Sequence, residues 1–369
     1  MENGAGSKRK AEAETSAVKK GKTSAGKEQK SLEDTMLGVD KGEPAEVESN
    51  QADNVEDGDG VPKEETNGSD AKDEEPNLEG DAVEEDKDRE ESVPSAILEK
   101  GIIYLFFRGR VGITEPQGVQ DIARTYMILR PLPHGAKLGD GPIGDDGNTR
   151  LLALPKKVLP VSHRDRFMTF VEKGQTTMKD LKENFIAGSD YETRTAGARH
   201  APSATPAGEG VYAITTTGRE SHLAYILTRP SDLGEVQEEI GLRQRGSFVL
   251  SAKNPEVGGP SYANLPEGAK YSKDIQDDFR GRGWMPLQAR MLDYDNTQLL
   301  LIGEGQDEMK KAVEEQPKDQ KQDKAAPLEE MEKLEEEDDE RVNHLKEDDP
   351  VFVDLDLDSK EHSTLQSTW

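Results

Sequence analysis

The charged residues of this chain are distributed very unevenly, and this distribution limits which part of the chain can fold. Residues 1–94 contain 13 Lys and Arg against 28 Asp and Glu, and residues 305–369 contain 9 against 22. Residues 95–304 contain 26 of each. Segments with high net charge and few apolar side chains cannot bury enough surface to offset the conformational entropy lost on folding. The sequence therefore predicts one folded core over residues 95–304, between disordered acidic arms at residues 1–94 and 305–369.

Missing residue types and patterns exclude several classes of protein. The chain contains no cysteine, which excludes disulfides, thiolate nucleophiles and Cys-ligated zinc. Its polar N-terminus lacks the apolar segment of a secretory signal. The longest apolar run, residues 102–107, is far shorter than the roughly 20 residues of a membrane span. We therefore expect an intracellular protein that does not contact a membrane.

Within residues 95–304 the sequence predicts strands alternating with short helices. The clearest strand covers residues 101–108, whose apolar run is rich in aromatic and β-branched side chains. Apolar spacing and cap residues predict three short helices, at residues 178–186, 233–240 and 272–279. Further strands are predicted at residues 124–130, 150–154, 166–172, 191–195, 210–215, 222–228, 247–251 and 298–302. We therefore expect an α+β fold of mostly antiparallel strands with three short helices.

Two larger patterns refine this expectation. Two strands, a helix and a strand occur in that order twice, over residues 150–195 and 210–251, which favours a tandem ββαβ repeat. Alternating strands and helices are also common without duplication.

In the C-terminal arm, residues 328–345 predict one further helix. Because its apolar residues are few, we expect this acidic helix to stand alone, without a buried face.

Seven short segments of the core carry a resemblance to a known family. They are residues 104–108, 191–200, 208–212, 222–225, 234–237, 251–255 and 299–303. These segments resemble an uncharacterised conserved family of fungal and bacterial proteins, whose fungal members are often labelled BTB-domain transcription factors. The resemblance covers the core and neither arm, and it implies no activity.

Basic side chains near the ends of predicted strands form a candidate ligand site. Arginine binds carboxylates and phosphates bidentately, and polar groups that converge at strand ends can hold an anion. Alternatively, these arginines pair with neighbouring carboxylates such as Asp190 and Glu192 and remain solvated. The candidate residues are Arg108, Arg110, Arg130, Arg194, Arg199, His200 and His222.

Other site chemistries have less support. His134, His163, His200 and His222 lack the close spacing of metal ligands, so no metal or cofactor is predicted. The glycine-rich segment 139–147 lacks the Gly-Lys-Ser/Thr ending of a phosphate loop. No Gly-x-Ser-x-Gly motif is present. A neutral core between acidic arms also argues against direct nucleic-acid binding.

The N-terminal arm contains two basic clusters that resemble a bipartite nuclear import signal. An import receptor reads such clusters along an extended chain. Lysine-rich termini are also common in disordered tails that carry no signal. The basic residues are Lys8, Arg9, Lys10, Lys19, Lys20 and Lys22.

Residues 351–358 of the C-terminal arm form a strand-like motif. Apolar side chains alternate there among aspartates, which resembles a SUMO-interacting motif that adds a strand to a partner's sheet edge. The alternatives are a sticky disordered tail and a strand that docks on the chain's own core. The residues of this partner strand motif are Val351, Phe352, Val353, Leu355 and Leu357.

Together these patterns predict a nuclear, non-enzymatic binding or adaptor protein. Its neutral core and acidic arms would engage protein partners in transcription or chromatin regulation: an import receptor, SUMO-type proteins and basic nuclear proteins. Two alternatives stay open. One is a histone-chaperone-like role of the acidic arms, and the other is an anion-binding or enzymatic core that uses Arg194, Arg199, His200 and His222.

Overall fold

The computed structural model describes six segments of the chain. These are residues 82–113, 116–193, 197–259, 265–305, 313–314 and 326–345, with the backbone alone described for residues 189–200. The predicted import signal at residues 8–22, Arg194 and the strand motif at residues 351–358 lie outside the described residues.

The described segments contain thirteen strands and five α-helices. In chain order they are β1 (Val83–Glu85), α1 (Lys87–Ser92), β2 (Ile97–Gly109), β3 (Ile122–Leu132), β4 (Ala136–Leu138), β5 (Thr149–Leu154), β6 (Arg166–Thr176), α2 (Met178–Leu181), β7 (Ser189–Thr193), β8 (Gly197–Ala201), β9 (Ala204–Thr216), β10 (Ser221–Arg229), α3 (Glu235–Glu239), β11 (Arg245–Lys253), α4 (Lys273–Asp278), β12 (Trp284–Pro286), β13 (Gln298–Gly303) and α5 (Pro327–His344). A π-helical turn, Lys182–Ile186, continues α2, and 3₁₀ turns lie at Val119–Asp121 and Ala289–Asp293.

Eight of the strands close into an antiparallel β-barrel. Their order is β10-β9-β2-β3-β5-β6-β13-β11, and β11 pairs back onto β10. β12 extends this sheet beyond β10 by pairing with the end of β11. Closure gives every barrel strand a paired neighbour on both sides and removes the exposed edges of an open sheet. The predicted α+β class with mostly antiparallel strands is confirmed, whereas the closure of the barrel was not predicted.

Glycines allow neighbouring barrel strands to approach closely. A Cβ on Gly101 of β2 would collide with the carbonyl oxygen of Arg130 on β3. A Cβ on Gly210 of β9 would collide with the carbonyl oxygen of Ile226 on β10, and it would lie 2.7 Å from the Cα atom of Leu227. Glycine at such points lets strands bend and coil as a small closed barrel requires.

Side chains fill the barrel interior. All eight barrel strands contribute to one buried apolar cluster, which includes Phe107, Met127, Tyr212, Tyr225 and Phe248. One mouth is closed by α3 and the β5–β6 loop, and the other by α4 and the 3₁₀ turn near Met291. The residues of these two closures are Val236, Ile240, Leu242 and Leu159 at the first mouth, and Ile275, Phe279, Met291 and Leu292 at the second. The barrel is therefore a packed core.

A second apolar layer covers part of the outer wall. The outward side chains of β2, β3, β5, β9 and β10 pack beneath α2, its π turn and α5. Met331 and Leu334 of α5 are buried in this layer, and Val342 is buried farther along the same helix. The expectation of a lone C-terminal helix without a buried face is therefore wrong. Because β1, α1 and α5 pack on the barrel, the packed structure extends beyond residues 95–304 at both ends.

The strand order differs between the two halves of the predicted ββαβ repeat. In the first half, β7 pairs with β8 in a separate two-stranded sheet. In the second half, the equivalent strand β11 pairs with β10 and β13 inside the barrel. The local order of elements is similar, but the two segments do not form equivalent units. The reason is that the pairing partners of each strand depend on how the whole barrel closes.

Candidate functional site

Two members of the predicted anion site, Arg108 and Arg130, contact groups elsewhere in the chain. Arg108 donates a hydrogen bond to the carbonyl oxygen of Pro202 at 2.8 Å and another to that of Phe185, whose ring lies under its guanidinium. Arg130 is buried and donates to the carbonyl oxygens of Ile143, at 2.7 Å, and Gly144. These two arginines fasten loops to the outer wall.

The remaining predicted residues occupy separate places. Arg110 is exposed at the end of β2. Arg199 and His200 lie on β8, in register with Tyr191 and Asp190 of β7. His222 lies on β10. Among the residues whose side chains the structure describes, no hydrogen bond or ion pair joins two members of the predicted set.

His222 belongs to a buried polar group that the sequence reasoning missed. Its Nδ1 atom lies 3.1 Å from a carboxylate oxygen of Glu304, and both side chains are buried. Ser247 is buried on the neighbouring strand β11. In the described part of the chain, His222 Nε2 and Ser247 Oγ have no hydrogen-bond partner. A serine, a histidine and a carboxylate are the components of a nucleophilic triad, but here the serine is not hydrogen-bonded to the imidazole and the group is enclosed.

A buried polar network closes one end of the barrel interior. Arg150 on β5 donates to both carboxylate oxygens of Glu99 on β2 at 2.6 Å, and to Asp293 at 2.6 and 2.8 Å. Tyr212 on β9 donates its hydroxyl proton to Glu99 at 2.7 Å. Burial disfavours the charge of Arg150, but Glu99 and the other anionic partners outweigh it and raise the pKa of the guanidinium.

The pKa shifts of Arg150 and Tyr212 determine which groups of this network are charged. Burial raises the pKa of Tyr212 well above its usual value, and the Glu99 carboxylate raises it further. The tyrosine thus remains a neutral donor and the arginine remains charged. This closed set of hydrogen bonds ties three strands to the turn that covers the barrel end. No sequence signal identifies it, because Glu99 lies 51 residues from Arg150 and 113 residues from Tyr212.

Buried charged contacts on the outer wall hold α5. One Glu330 carboxylate oxygen accepts hydrogen bonds from Arg89 of α1 at 2.8 Å and from Lys100 of β2 at 2.7 Å. The Lys100 and Glu330 side chains are 2 and 3% exposed, so this ion pair is sealed from water. Lys100 also donates to the carbonyl oxygen of Ala136 on β4. Burial lowers the pKa of Lys100, and Glu330 opposes that shift.

A second charged contact fixes the C-terminal half of α5. The buried Asp338 accepts a hydrogen bond from Thr228 of β10 at 2.7 Å and from Arg341 of its own helix at 2.8 Å. Beside it, Arg229 donates to Asp339 at 2.6 Å. Near the start of the helix, an exposed pair joins Arg245 of β11 to Glu332. Charged groups of α5 therefore meet partners along the whole helix.

We call the surface beneath this helix the α5 groove. It consists of Arg89, Lys100, Ala136, Ile226 and Thr228, with Arg229 and Arg245 at its rim. Its buried charges were missed from the sequence because Glu330 lies 241 residues from Arg89 and 230 from Lys100. Local patterns suggested that such charges would be solvated.

The surface also contains open depressions. One of about 560 Å³ is lined by Leu98, Arg219, Arg282, Met285 and Leu287, among others. Its charged lining residues are both arginines. Arg282 is already engaged, because its Nε donates to the carbonyl oxygen of Phe279 at 3.2 Å. This leaves a shallow, weakly basic surface.

Comparisons of the chain with family models, with curated proteins and with solved structures give no match. Among the described residues, no group of three or more His, Asp or Glu side chains is placed to hold a metal ion. The helices in the described segments also lack the combination of length and apolar character that a membrane span requires.

Proposed function

We propose that this protein is a nuclear, non-enzymatic binding or adaptor protein that engages protein partners through the outer wall of its barrel and through its acidic arms. The observation that carries this proposal is the acidic helix α5, bound on the outer wall by buried ion pairs. The barrel interior is filled with side chains, so partner contacts belong on the outside.

The arms supply a second, electrostatic mode of binding. Residues 1–94 carry 28 acidic against 13 basic residues, and such a segment attracts basic partners in a salt-dependent way. The basic clusters of residues 8–22 would bind an import receptor. The motif at residues 351–358 would add a strand to a SUMO-type partner. Basic proteins of transcription or chromatin are the partner class that this charge fits.

Capture from nuclear extract by the full chain tests the adaptor proposal. We expect basic nuclear proteins to be retained at low salt and partly lost at moderate salt, because exposed charge attraction is screened. Removing residues 1–81 should release most of them. Replacing Val353 and Leu355 by alanine should release only partners held by the strand motif. Retention of the same proteins without residues 1–81, or no retention at all, would contradict the proposal.

A histone-chaperone-like role is the second candidate, and the formal net charge of −28 favours it. Such a chaperone shields basic tails from DNA by competing with phosphate for Lys and Arg. Purified core histones mixed with DNA and the full chain distinguish the two functions. A chaperone prevents histone–DNA precipitation at moderate salt, whereas an adaptor of other partners leaves it unchanged.

A further inference from the structure

The α5 groove and the helix it holds have opposite charge. α5 contains nine acidic and two basic residues, not counting His344. The groove and its rim present four cations to the acidic side chains of α5: Arg89, Lys100, Arg229 and Arg245. Complementary charge of this kind selects a partner and sets its register.

The buried face of α5 is unusually polar for a helix that packs on a core. Its buried side chains include Glu330, Asp338 and Arg341 together with Met331 and Leu334. The wall beneath offers small apolar side chains such as Ala213 and Ala224. Burial of small residues removes little apolar area from water, so specific ion pairs and hydrogen bonds carry much of the recognition. A contact that depends on specific charged pairs can select its partner by charge and position.

The connection between the barrel and α5 is long. Twenty residues separate Gly305 from Ala326, and one of them, Val313, is buried in the outer-wall cluster. The twelve residues between Val313 and Ala326 can still span roughly 40 Å if extended. A helix tethered in this way binds its groove as an intramolecular ligand at a high effective concentration, on the order of millimolar. It also competes with any similar helix supplied by another protein.

We propose that the α5 groove is an exchangeable receptor site for acidic amphipathic helices, occupied by α5 until a partner helix replaces it. The partner helix would carry a glutamate for Arg89 and Lys100 and, eight residues later, an aspartate for Thr228, with apolar side chains between them. This goes beyond the proposed function, in which acidic arms attract basic partners. Here a basic groove selects an acidic partner.

A labelled peptide covering residues 326–345 is the probe, and the full chain is the receptor. In the unmodified chain α5 competes, so we expect weak binding. The substitution Glu330→Gln in the chain removes the carboxylate that pairs with Arg89 and Lys100 and loosens α5. Binding of the unmodified peptide should then tighten at least tenfold, because the competitor is weakened. Fluorescence anisotropy measures both affinities.

Substitutions that remove a contact between the groove and the peptide should instead weaken peptide binding. Adding Lys100→Met to the loosened chain should reduce peptide binding at least tenfold. A peptide with Glu330→Gln should bind the loosened chain at least tenfold more weakly. The matched control is Glu336→Gln, which makes the same charge change on the exposed face of α5 and should alter neither measurement more than about twofold.

Three results would overturn the proposal. One is a loosened chain that keeps its barrel, judged by circular dichroism, but does not bind the peptide more tightly than the unmodified chain. Another is a loosened chain whose barrel unfolds together with α5, which would make α5 a fixed part of the fold. An equal effect of Glu330→Gln and Glu336→Gln in the peptide would reduce the contact to charge attraction and would also reject it.

Discussion

Buried ionic groups in this protein join segments that are far apart in the chain. Arg150 connects Glu99 with Asp293 inside one barrel end, and Glu330 connects Arg89 with Lys100 on the outer wall. An intact buried pair adds little net stability, because desolvation opposes the attraction between the charges. Losing one partner is different, since it leaves an uncompensated charge in a dry site. Single residues should therefore affect stability very unequally.

Replacing Arg150 by methionine should destabilise the protein by about 3–5 kcal/mol, because Glu99 stays buried without its cation. The matched control is Arg290→Met, which removes ion pairs to Asp274 and Asp278 at the surface and should change the free energy of unfolding by less than about 1 kcal/mol. Urea unfolding followed by circular dichroism measures both. Similar losses for the two variants would show that the Arg150 network is not sealed from water.

Alkaline pH should weaken the fold through its buried tyrosines. Burial raises the pKa of Tyr225 to about 12, although a backbone hydrogen bond at Arg243 opposes the shift. A raised pKa in the folded state means that stability is complete below the unfolded value of about 10 and falls as pH rises above it. Ionisation of Tyr225 should therefore lower the free energy of unfolding by roughly 2–3 kcal/mol by pH 12.

The control for this prediction is Tyr225→Phe, which cannot ionise. Urea unfolding between pH 8 and pH 12 should give a shallower decline for the variant than for the unmodified chain. Tyr271, whose pKa burial also raises to about 12, remains in both proteins and cancels in the comparison. Parallel declines would mean that ionisation of Tyr225 is not coupled to unfolding.

At the scale of elements, hydrophobic patterns predicted the strands well but did not predict their closure. β2, with its run from Ile102 to Phe107, and β10 were predicted within a few residues of their ends, because their apolar residues dominate the local sequence. The pairing of β11 with β10 was not predictable, since register depends on all eight strands. Short strands such as β4 and β12 contain only three residues and leave no pattern.

The site was less predictable than the strands, for a physical reason. Arginines such as Arg108 and Arg130 were recognised as important basic residues, but their carbonyl partners belong to loops that only the fold brings near. α5 was predicted as a helix from its composition. Its buried face was missed because Glu330 and Asp338 count as exposed residues in any local pattern, and their partners Lys100 and Thr228 are remote in sequence.

The close approach of strands β9 and β10 can be tested by replacing a glycine of β9. Gly210→Ala would place a methyl group against the backbone of β10, so we expect a loss of about 2 kcal/mol or more in the free energy of unfolding. Gly258→Ala is the control, because its Cβ would meet no atom within 4 Å, and it should change stability by less than about 0.5 kcal/mol. Equal stabilities in chemical denaturation would contradict the close approach of β9 and β10.

At the scale of the whole molecule, the acidic residues of α5 and those of the N-terminal arm have different surroundings. Some acidic residues of α5, among them Glu330 and Asp339, pair with cations of α1 and the barrel. The acidic residues of segment 1–81 lie among few apolar side chains. Their net negative charge acts on other charged groups over a distance. Under the proposed function, the arm of this chain attracts basic partners while its groove holds an acidic helix.

The basic clusters at the start of the arm give a prediction about localisation. Replacing Lys19, Lys20 and Lys22 by alanine should move a large fluorescent fusion of the protein from the nucleus toward the cytoplasm, because one half of a bipartite signal is lost. The matched control is alanine at Lys27, Lys30 and Lys41, which removes the same charge outside the clusters. An unchanged nuclear signal in the first variant would refute the import role.

The central claim is that α5 is docked in its groove and can be exchanged. Because the chain contains no cysteine, cysteines introduced at the exposed positions Glu336 of α5 and Arg219 of the β9–β10 turn can carry a single pair of spin labels. Pulsed electron paramagnetic resonance then measures the distance between them. We predict one narrow distance distribution in the otherwise unmodified chain, and a second, broad population when Glu330→Gln is added with excess peptide 326–345. A broad distribution from the start would contradict docking, and a narrow distribution that persists with saturating peptide would contradict exchange.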